Sequence, residues 1–317
     1  MIPFKNFYAC CFALLSLVTC TVQYATAQAP GVRVPRPSQK ASIMQTVGVT
    51  DITINYHRPG TKGRVIWGEA PEGVTVKGEA TLDDQNARLK GAPIVPYGHV
   101  WRTGANEATQ FVVTDDVLIN GQPLKAGTYS LHTIPGRDEW TIIFNSDAGQ
   151  WGSFSYDAGK DTLRVKAKPQ TTAENQEWLM FSFDPVTENS AQVNIRWEKV
   201  RVPFTVEIKD VTGLTLAKAR AAVAAAKPDD WRTPLQAANY AIQNKNQEEG
   251  MRWLEQSIKV KPTFQNLSAK AQALYNAGRK DEAFAIAEQA IQQGKADKID
   301  TTRFEKRLAD MKAGKAS

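Results

Sequence analysis

The run Pro96-Tyr97-Gly98-His99-Val100-Trp101-Arg102-Thr103-Gly104-Ala105-Asn106-Glu107-Ala108-Thr109 gathers a guanidinium, a carboxylate, a carboxamide and two large rings in one short stretch. Arg102 presents a rigid fork of donors suited to a carboxylate or phosphate. Tyr97 and Trp101 offer flat faces for a sugar or an apolar group, while Asn106 and Glu107 supply complementary hydrogen bonds. Gly104 and Asn106 are residue types that accept a left-handed backbone. Two readings stand side by side. Arg102 and Glu107 pair with each other and hold the loop shut, with Trp101 in the core, or they stand open as a recognition site. A second polar cluster, Tyr56-His57-Arg58-Pro59-Gly60 with Lys62-Gly63-Arg64, sets Arg58 and Arg64 at a strand end. There they serve an anion or are solvated turn residues.

Catalytic chemistry finds less support. The three histidines, His57, His99 and His132, together with Glu107 match a zinc set in type but not in spacing. Ser130, His132 and Asp138 make a hydrolytic triad on paper, yet no Gly-x-Ser-x-Gly elbow occurs. Phosphate loops and dinucleotide fingerprints are absent, so no cofactor and no metal are expected. A glycosidase built on Glu107 needs a second carboxylate about 5–10 Å away. Asp115, Asp116, Asp138 and Glu139 are the nearest along the chain. The leading expectation is therefore a non-enzymatic binding or assembly module. The alternative is a carbohydrate-binding module or a glycan-active hydrolase.

The elements that must hold these residues change character along the chain. From 42 to 210 the hydrophobic period is two. Leu163-Arg164-Val165-Lys166-Ala167-Lys168 alternates apolar and basic, as do Val202, Phe204, Val206 and Ile208 with their neighbours. Asn120-Gly121 suits a type I′ hairpin, and Pro135-Gly136-Arg137-Asp138 separates two further strands. About nine to eleven short strands predict an all-β antiparallel sandwich or flattened barrel. The tryptophans of this half are expected mostly in its core. From 211 to 317 the pattern is helical: an alanine-rich helix over 214–227, a cap at Thr233-Pro234, a cap at Asn246, a start at Pro262-Thr263 and a break at 276–279. Gly250, Leu254 and Ser257 recur as Ala283, Ala287 and Ala290 about 33 residues later. That interval resembles tetratricopeptide repeats. Such helical hairpins predict a protein partner.

The first residues predict export. Lys5, a short apolar core over 12–18 and Ala25-Thr26-Ala27 read as a signal peptide over 1–27, followed by a flexible segment over 28–41. Cys20 is also a weak match to a lipoprotein processing site. All three cysteines (Cys10, Cys11, Cys20) lie in that leader, so the mature chain has neither a thiol nor a disulfide. The apolar run is too short to span a bilayer, and a periplasmic or secreted protein is expected. The formal net charge is +6. Its surplus sits in the C-terminal part, where about 18 basic and 12 acidic residues intermingle without a basic run. That is a solvated helix surface rather than a nucleic-acid footprint.

Several motifs carry a family resemblance. They are Tyr56-His57-Arg58-Pro59, Gly63-Arg64-Val65-Ile66-Trp67-Gly68, the 95–109 run, Leu124-Lys125-Ala126-Gly127-Thr128-Tyr129-Ser130-Leu131, Thr133-Ile134-Pro135-Gly136, Trp140-Thr141-Ile142-Ile143-Phe144-Asn145 and Arg201-Val202-Pro203. Over 35–208 the chain resembles the bacterial domain of unknown function family 2911 (DUF 2911). The resemblance implies export and a β fold and no established activity. It also implies that 69–93 is an insertion, since relatives run directly from the Gly68 equivalent to Val95-Pro96. A hairpin from 74–79 and 87–90 is expected within it.

Overall fold

The computed structural model describes residues 34–72 and 91–315. The leader, and the hairpin expected within the insertion, lie outside the described residues. Among these residues twelve strands precede six helices. The strands are β1 (Gln39–Val47), β2 (Thr50–Arg58), β3 (Trp67–Gly68), β4 (Val95–Pro96), β5 (Thr109–Val113), β6 (Val117–Ile119), β7 (Gln122–Leu124), β8 (Gly127–Ile134), β9 (Trp140–Asn145), β10 (Asp161–Ala167), β11 (Gln170–Val186) and β12 (Ser190–Glu207).

Alternation decides which face each strand buries. Ile52, Ile54 and Tyr56 of β2 point inward, as do Phe111 and Val113 of β5 and Val165 and Ala167 of β10. Two antiparallel sheets result, a six-stranded one in the order β1-β2-β5-β8-β9-β10 and a four-stranded one in the order β11-β12-β6-β7. Their inner faces share one core, so the fold is a β sandwich. The Asn120-Gly121 turn joins β6 to β7 with φ of 47° and 81°, the double left-handed geometry of a type I′ hairpin. β3 and β4 pair in parallel, Trp67 with Val95 and Gly68 with Pro96. The insertion thus leaves and re-enters the sandwich at one narrow neck.

Four tryptophans fill the core behind that neck. Trp101 and Trp197 stack with centroids 5.7 Å apart, and Trp67 meets Trp101, Trp140 and Trp197 edge-on at 5.0–5.6 Å. Edge-on and offset geometries are what ring quadrupoles favour. Trp151 and Trp178 are the exceptions to the expected burial, being 50% and 39% exposed.

The helices are α1 (Val211–Ala224), α2 (Arg232–Gln243), α3 (Gln247–Val260), α4 (Phe264–Asn276), α5 (Lys280–Ala296) and α6 (Thr302–Lys312). Asp210 caps α1 by accepting from Gly213 N at 2.8 Å. Thr263 and Asn266 form a reciprocal capping box on α4. At α2 the capping acceptor is Asp230, which takes the amides of Arg232 and Thr233, rather than the expected Thr233. Asn246 stands at the head of α3 without a capping bond and donates its side chain to Glu249 instead. Gly250, Leu254 and Ser257 on α3 and Ala283, Ala287 and Ala290 on α5 are all buried. Short side chains there let paired helices approach closely: a Cβ on Gly250 would sit 2.5 Å from Ile242 Cγ1.

Candidate functional site

The 96–109 run folds as a knot of backbone at one end of the six-stranded sheet. Trp101 exchanges both backbone hydrogen bonds with Thr133 of β8, its ring enters the core, and its indole N–H donates to Gly104 O at 3.1 Å. Thr103 and Asn106 carry the left-handed conformations, at φ 52° and 59°. Gly104 is needed for a different reason than its permissive backbone. A Cβ there would lie 3.0 Å from Thr109 Oγ1 and 3.2 Å from His57 O. Arg102 is buried and donates through Nη1 to Asn106 O at 2.9 Å, while the Asn106 carboxamide donates to Ser38 O at 3.0 Å. Glu107 is half-exposed, with Oε2 at 3.5 Å from His57 Nε2.

Tyr97 is set apart from this group. The Arg137 guanidinium lies over its ring at 5.3 Å and pairs with Glu69 at 3.0 Å. Arg58 and Arg64 turn to backbone as well. Arg58 Nε donates to Leu179 O at 2.8 Å, and Arg64 donates to Gly60 O at 2.6 Å and Thr61 O at 3.1 Å. Arg64 thus braces the 59–64 turn, which Glu177 also holds through Thr61 and Lys62 N, while Arg58 ties the end of β2 to β11.

The pairing registers reveal what links the knot to its surroundings. Ser42 faces Asn55, Asn55 faces Gln110, Gln110 faces Ser130, Ser130 faces Asn145 and Asn145 faces Asp161. One row of polar side chains therefore crosses all six strands of the larger sheet. A strap over residues 146–160 covers part of it. Gln110 donates to Ala148 O at 3.0 Å, Gln150 donates to Ser130 Oγ at 3.3 Å and Asn145 donates to Asp157 O at 2.9 Å. Asp161 anchors the end of the strap, accepting from Tyr156 Oη at 2.6 Å, Asn145 at 2.7 Å and Arg164 at 2.7 Å.

His132 lies under the strap, two residues along the same strand face from Ser130. Its Nε2 is 3.1 Å from Ser130 Oγ and its Nδ1 is 3.4 Å from Ser153 Oγ. Burial pushes the imidazole down to about 4, with Asp161 and Asp147 opposing the shift and Arg102 adding to it. Ser130 and His132 are both wholly buried, and Asp138 lies exposed in the turn before β9. Ser130 and His132 thus belong, with Ser153, to a covered hydrogen-bond set that ties the strap to the sheet, and Asp138 stands outside it. His99 is likewise held below its ordinary value by burial. Among the described residues no three His, Cys, Asp or Glu side chains gather where they could hold a metal ion.

Beyond the strap the row opens. Lys40, Asn55, Tyr56, His57, Glu107, Ala108 and Gln110 line a cleft of about 100 Å³. Strap residues 150–152 run along its border: Glu107 bridges Trp151, Ala108 N donates to Gln150 O and Gly152 N donates to Asn106 O. Half-exposed Trp151 therefore stands beside Glu107, and Phe154 is exposed further along the strap.

With this geometry in view, the chain can be compared with known proteins. Residues 38–206 match the family described as protein of unknown function DUF2911, which is more than half of the chain. The chain belongs to the DUF2911 family. No curated protein and no solved structure matches it. The DUF2911 region contains the whole cleft, the strap and the tryptophan core, and it ends within β12.

Of the ligand-binding candidates in the sequence, the cleft takes Glu107 alone, with His57 and Tyr56 of the second polar cluster beside it. Trp101, Arg102 and Asn106 build the knot that presents it, while Tyr97, Arg58 and Arg64 lie elsewhere. Lys40, Asn55, Gln110 and Trp151 escaped notice because each is an ordinary outward residue of a strand or loop. Only the register brings them together.

Proposed function

We propose that this protein is an exported, non-enzymatic binding module whose recognition site is the open end of the polar row around Glu107. The observation that carries the reading is the division of that row. Strap residues hold Asn145 through Asp157 O and Ser130 through Gln150, and take the Gln110 N–H through Ala148 O, whereas Lys40, Asn55 and Glu107 meet at a surface cleft that the rest of Gln110 also lines. An ammonium, two carboxamides and a carboxylate around a shallow cleft, with a half-exposed indole beside it, suit a polyhydroxylated ligand such as a saccharide. Hydroxyls then meet the polar groups while a sugar face lies on Trp151.

Binding is favoured over hydrolysis because, among the described residues, Glu107 is the sole carboxylate lining the cleft. The carboxylates expected to assist it have other posts. Asp115 pairs with Lys218 at 2.7 Å, Asp116 with Lys125 at 2.8 Å and Glu139 with Lys166 at 2.9 Å. Asp115 lies eight residues along the chain, beyond the far end of β5, a run of about 26 Å at the usual strand rise. Export rests on the leader-like first residues, and the helices are assigned to a protein partner because their small-residue hairpins resemble tetratricopeptide repeats.

A glycan array probed with the labelled mature protein tests this reading, with Glu107→Ala and Arg102→Ala alongside. Glu107→Ala should abolish the signal and leave stability within about 1 kcal/mol, as is usual for a partly exposed ion pair. Arg102→Ala should instead destabilise by about 2 kcal/mol or more, because it strips a buried donor from the knot. An array blank with wild-type protein removes the saccharide, and an unaltered signal in Glu107→Ala removes the site.

A further inference from the structure

The helical part carries its own large concavity. A groove of about 810 Å³ lies between α4 and α6. Its apolar part is Phe264 of α4 and Phe304 of α6, two half-buried rings in edge-on contact at 5.4 Å. Gly294 of α5 makes room behind them, since a Cβ there would lie 2.5 Å from Thr301 and 3.1 Å from the Phe264 ring.

A cluster of four cations marks this groove. Arg303, Lys306, Arg307 and Lys315 line it, and none has an ion-pair partner among the described residues. On the neighbouring flank the charges are matched: Glu305 pairs with Lys295 at 3.0 Å, and Lys312 with Glu288 at 2.8 Å. Arg303, Lys306 and Arg307 fall at helical intervals of three and four, so they repel one another along one face. An anionic occupant relieves that repulsion. Two carboxylates, Asp300 and Asp310, also line the groove, and Asp300 already accepts from Thr302 N at 2.9 Å. These carboxylates repel a phosphate backbone and acidic side chains alike, but only a peptide also offers backbone amides for them to accept from.

Resting on the reading of the helices as a partner-holding part, we propose that the α4–α6 groove binds an acidic, extended protein segment that inserts one apolar side chain against Phe264 and Phe304. Cations at the rim select the acidic residues and the ring pair takes the apolar one.

Fluorescence anisotropy with the full mature protein tests this. The probe is a labelled peptide of alternating Glu and Asp around one central Phe. Its controls are the same peptide with Gln and Asn in place of the acids, and a single-stranded oligonucleotide of matching charge. The acidic peptide should bind saturably, and at least about tenfold more tightly than the amide control, with affinity falling as salt rises. The double variant Arg303→Glu/Arg307→Glu should lose that binding. Lys259→Glu/Lys261→Glu, an equal charge change outside the groove, should keep it. All four substituted positions are at the surface, so thermal melting should match wild type. Equal binding of acidic and amide peptides, equal loss in both double variants, or preference for the oligonucleotide would each overturn the inference. So would absence of saturable binding by a protein that melts normally. A pull-down of another protein that survives Arg303→Glu/Arg307→Glu would leave the partner-holding role standing while this groove fails.

Discussion

His132 couples the fold to acidity. Its folded value is about 4 against an ordinary 6.5, so the unfolded chain binds the proton first as pH falls. Stability supplied by the neutral imidazole is therefore complete above 6.5, declines between 6.5 and 4, and is absent below. The full loss is about 3 kcal/mol at 1.4 kcal/mol per pKa unit. Carboxylates act in a lower window. Burial pushes Asp115 up, but Lys218, Thr50 and Thr114 together bring it below its usual 3.8, so its contribution is lost only as pH falls through that lowered value. Urea denaturation in buffers from pH 7 to 4 should show the decline in wild type. In His132→Gln, which retains hydrogen-bonding capacity for Ser130 and Ser153, most of that slope should vanish. A variant with the wild-type slope would assign the acid sensitivity to other groups.

At the scale of elements, the turn between β1 and β2 also receives the first residue of α1. Gly48 has φ 58°, and a Cβ there would stand 2.6 Å from Val211 Cγ1. Two costs combine in Gly48→Ala, a left-handed backbone and an overpacked contact, for a loss of about 2–4 kcal/mol. Adding Val211→Ala should recover the steric share but not the backbone share, so a double-mutant cycle measured by denaturation should give a coupling above about 0.5 kcal/mol. Additive effects would mean that the turn does not seat the helix. What was legible in the chain divides along the same lines. Strands such as β2, β10 and the end of β12 could be read because each buries one face, and burial writes a period of two into the residues themselves. The strap has no period. Its positions are fixed by hydrogen bonds to Gln110, Ser130 and Asn145, residues that gave no local sign of their partners. Glu107 stood out by type, but the cleft around it depends on registers among β1, β2 and β5 that alternation alone leaves undetermined. Trp101 was readable as a core ring only as one of two alternatives, because its companions Trp67, Trp140 and Trp197 come from distant parts of the chain.

Across the whole molecule, apolar burial falls into separate clusters. The sandwich core ends with Val211 and Leu214 packed against it, and the helices form their own clusters around Leu254 and around Ala287. α1 joins the two regions. Its first turn lies on the sandwich, Lys218 reaches back to Val49 O at 2.9 Å and Asp115 at 2.7 Å, and its later residues Leu216 and Val223 belong to the first helical cluster. A junction built on one helix turn and a surface ion pair transmits little cooperativity, since such pairs contribute about 1 kcal/mol or less. Calorimetry should accordingly resolve two transitions. Lys218→Ala should separate them further by lowering the less stable one, with the other unmoved. The sandwich, whose core holds four packed tryptophans, should be the later to melt, and its transition should carry the near-ultraviolet circular dichroism of those rings. A single transition in both proteins, with calorimetric and van't Hoff enthalpies equal, would instead make α1 a rigid coupling and the chain one folding unit. In that case occupancy of the α4–α6 groove would stabilise the sheet-face cleft as well.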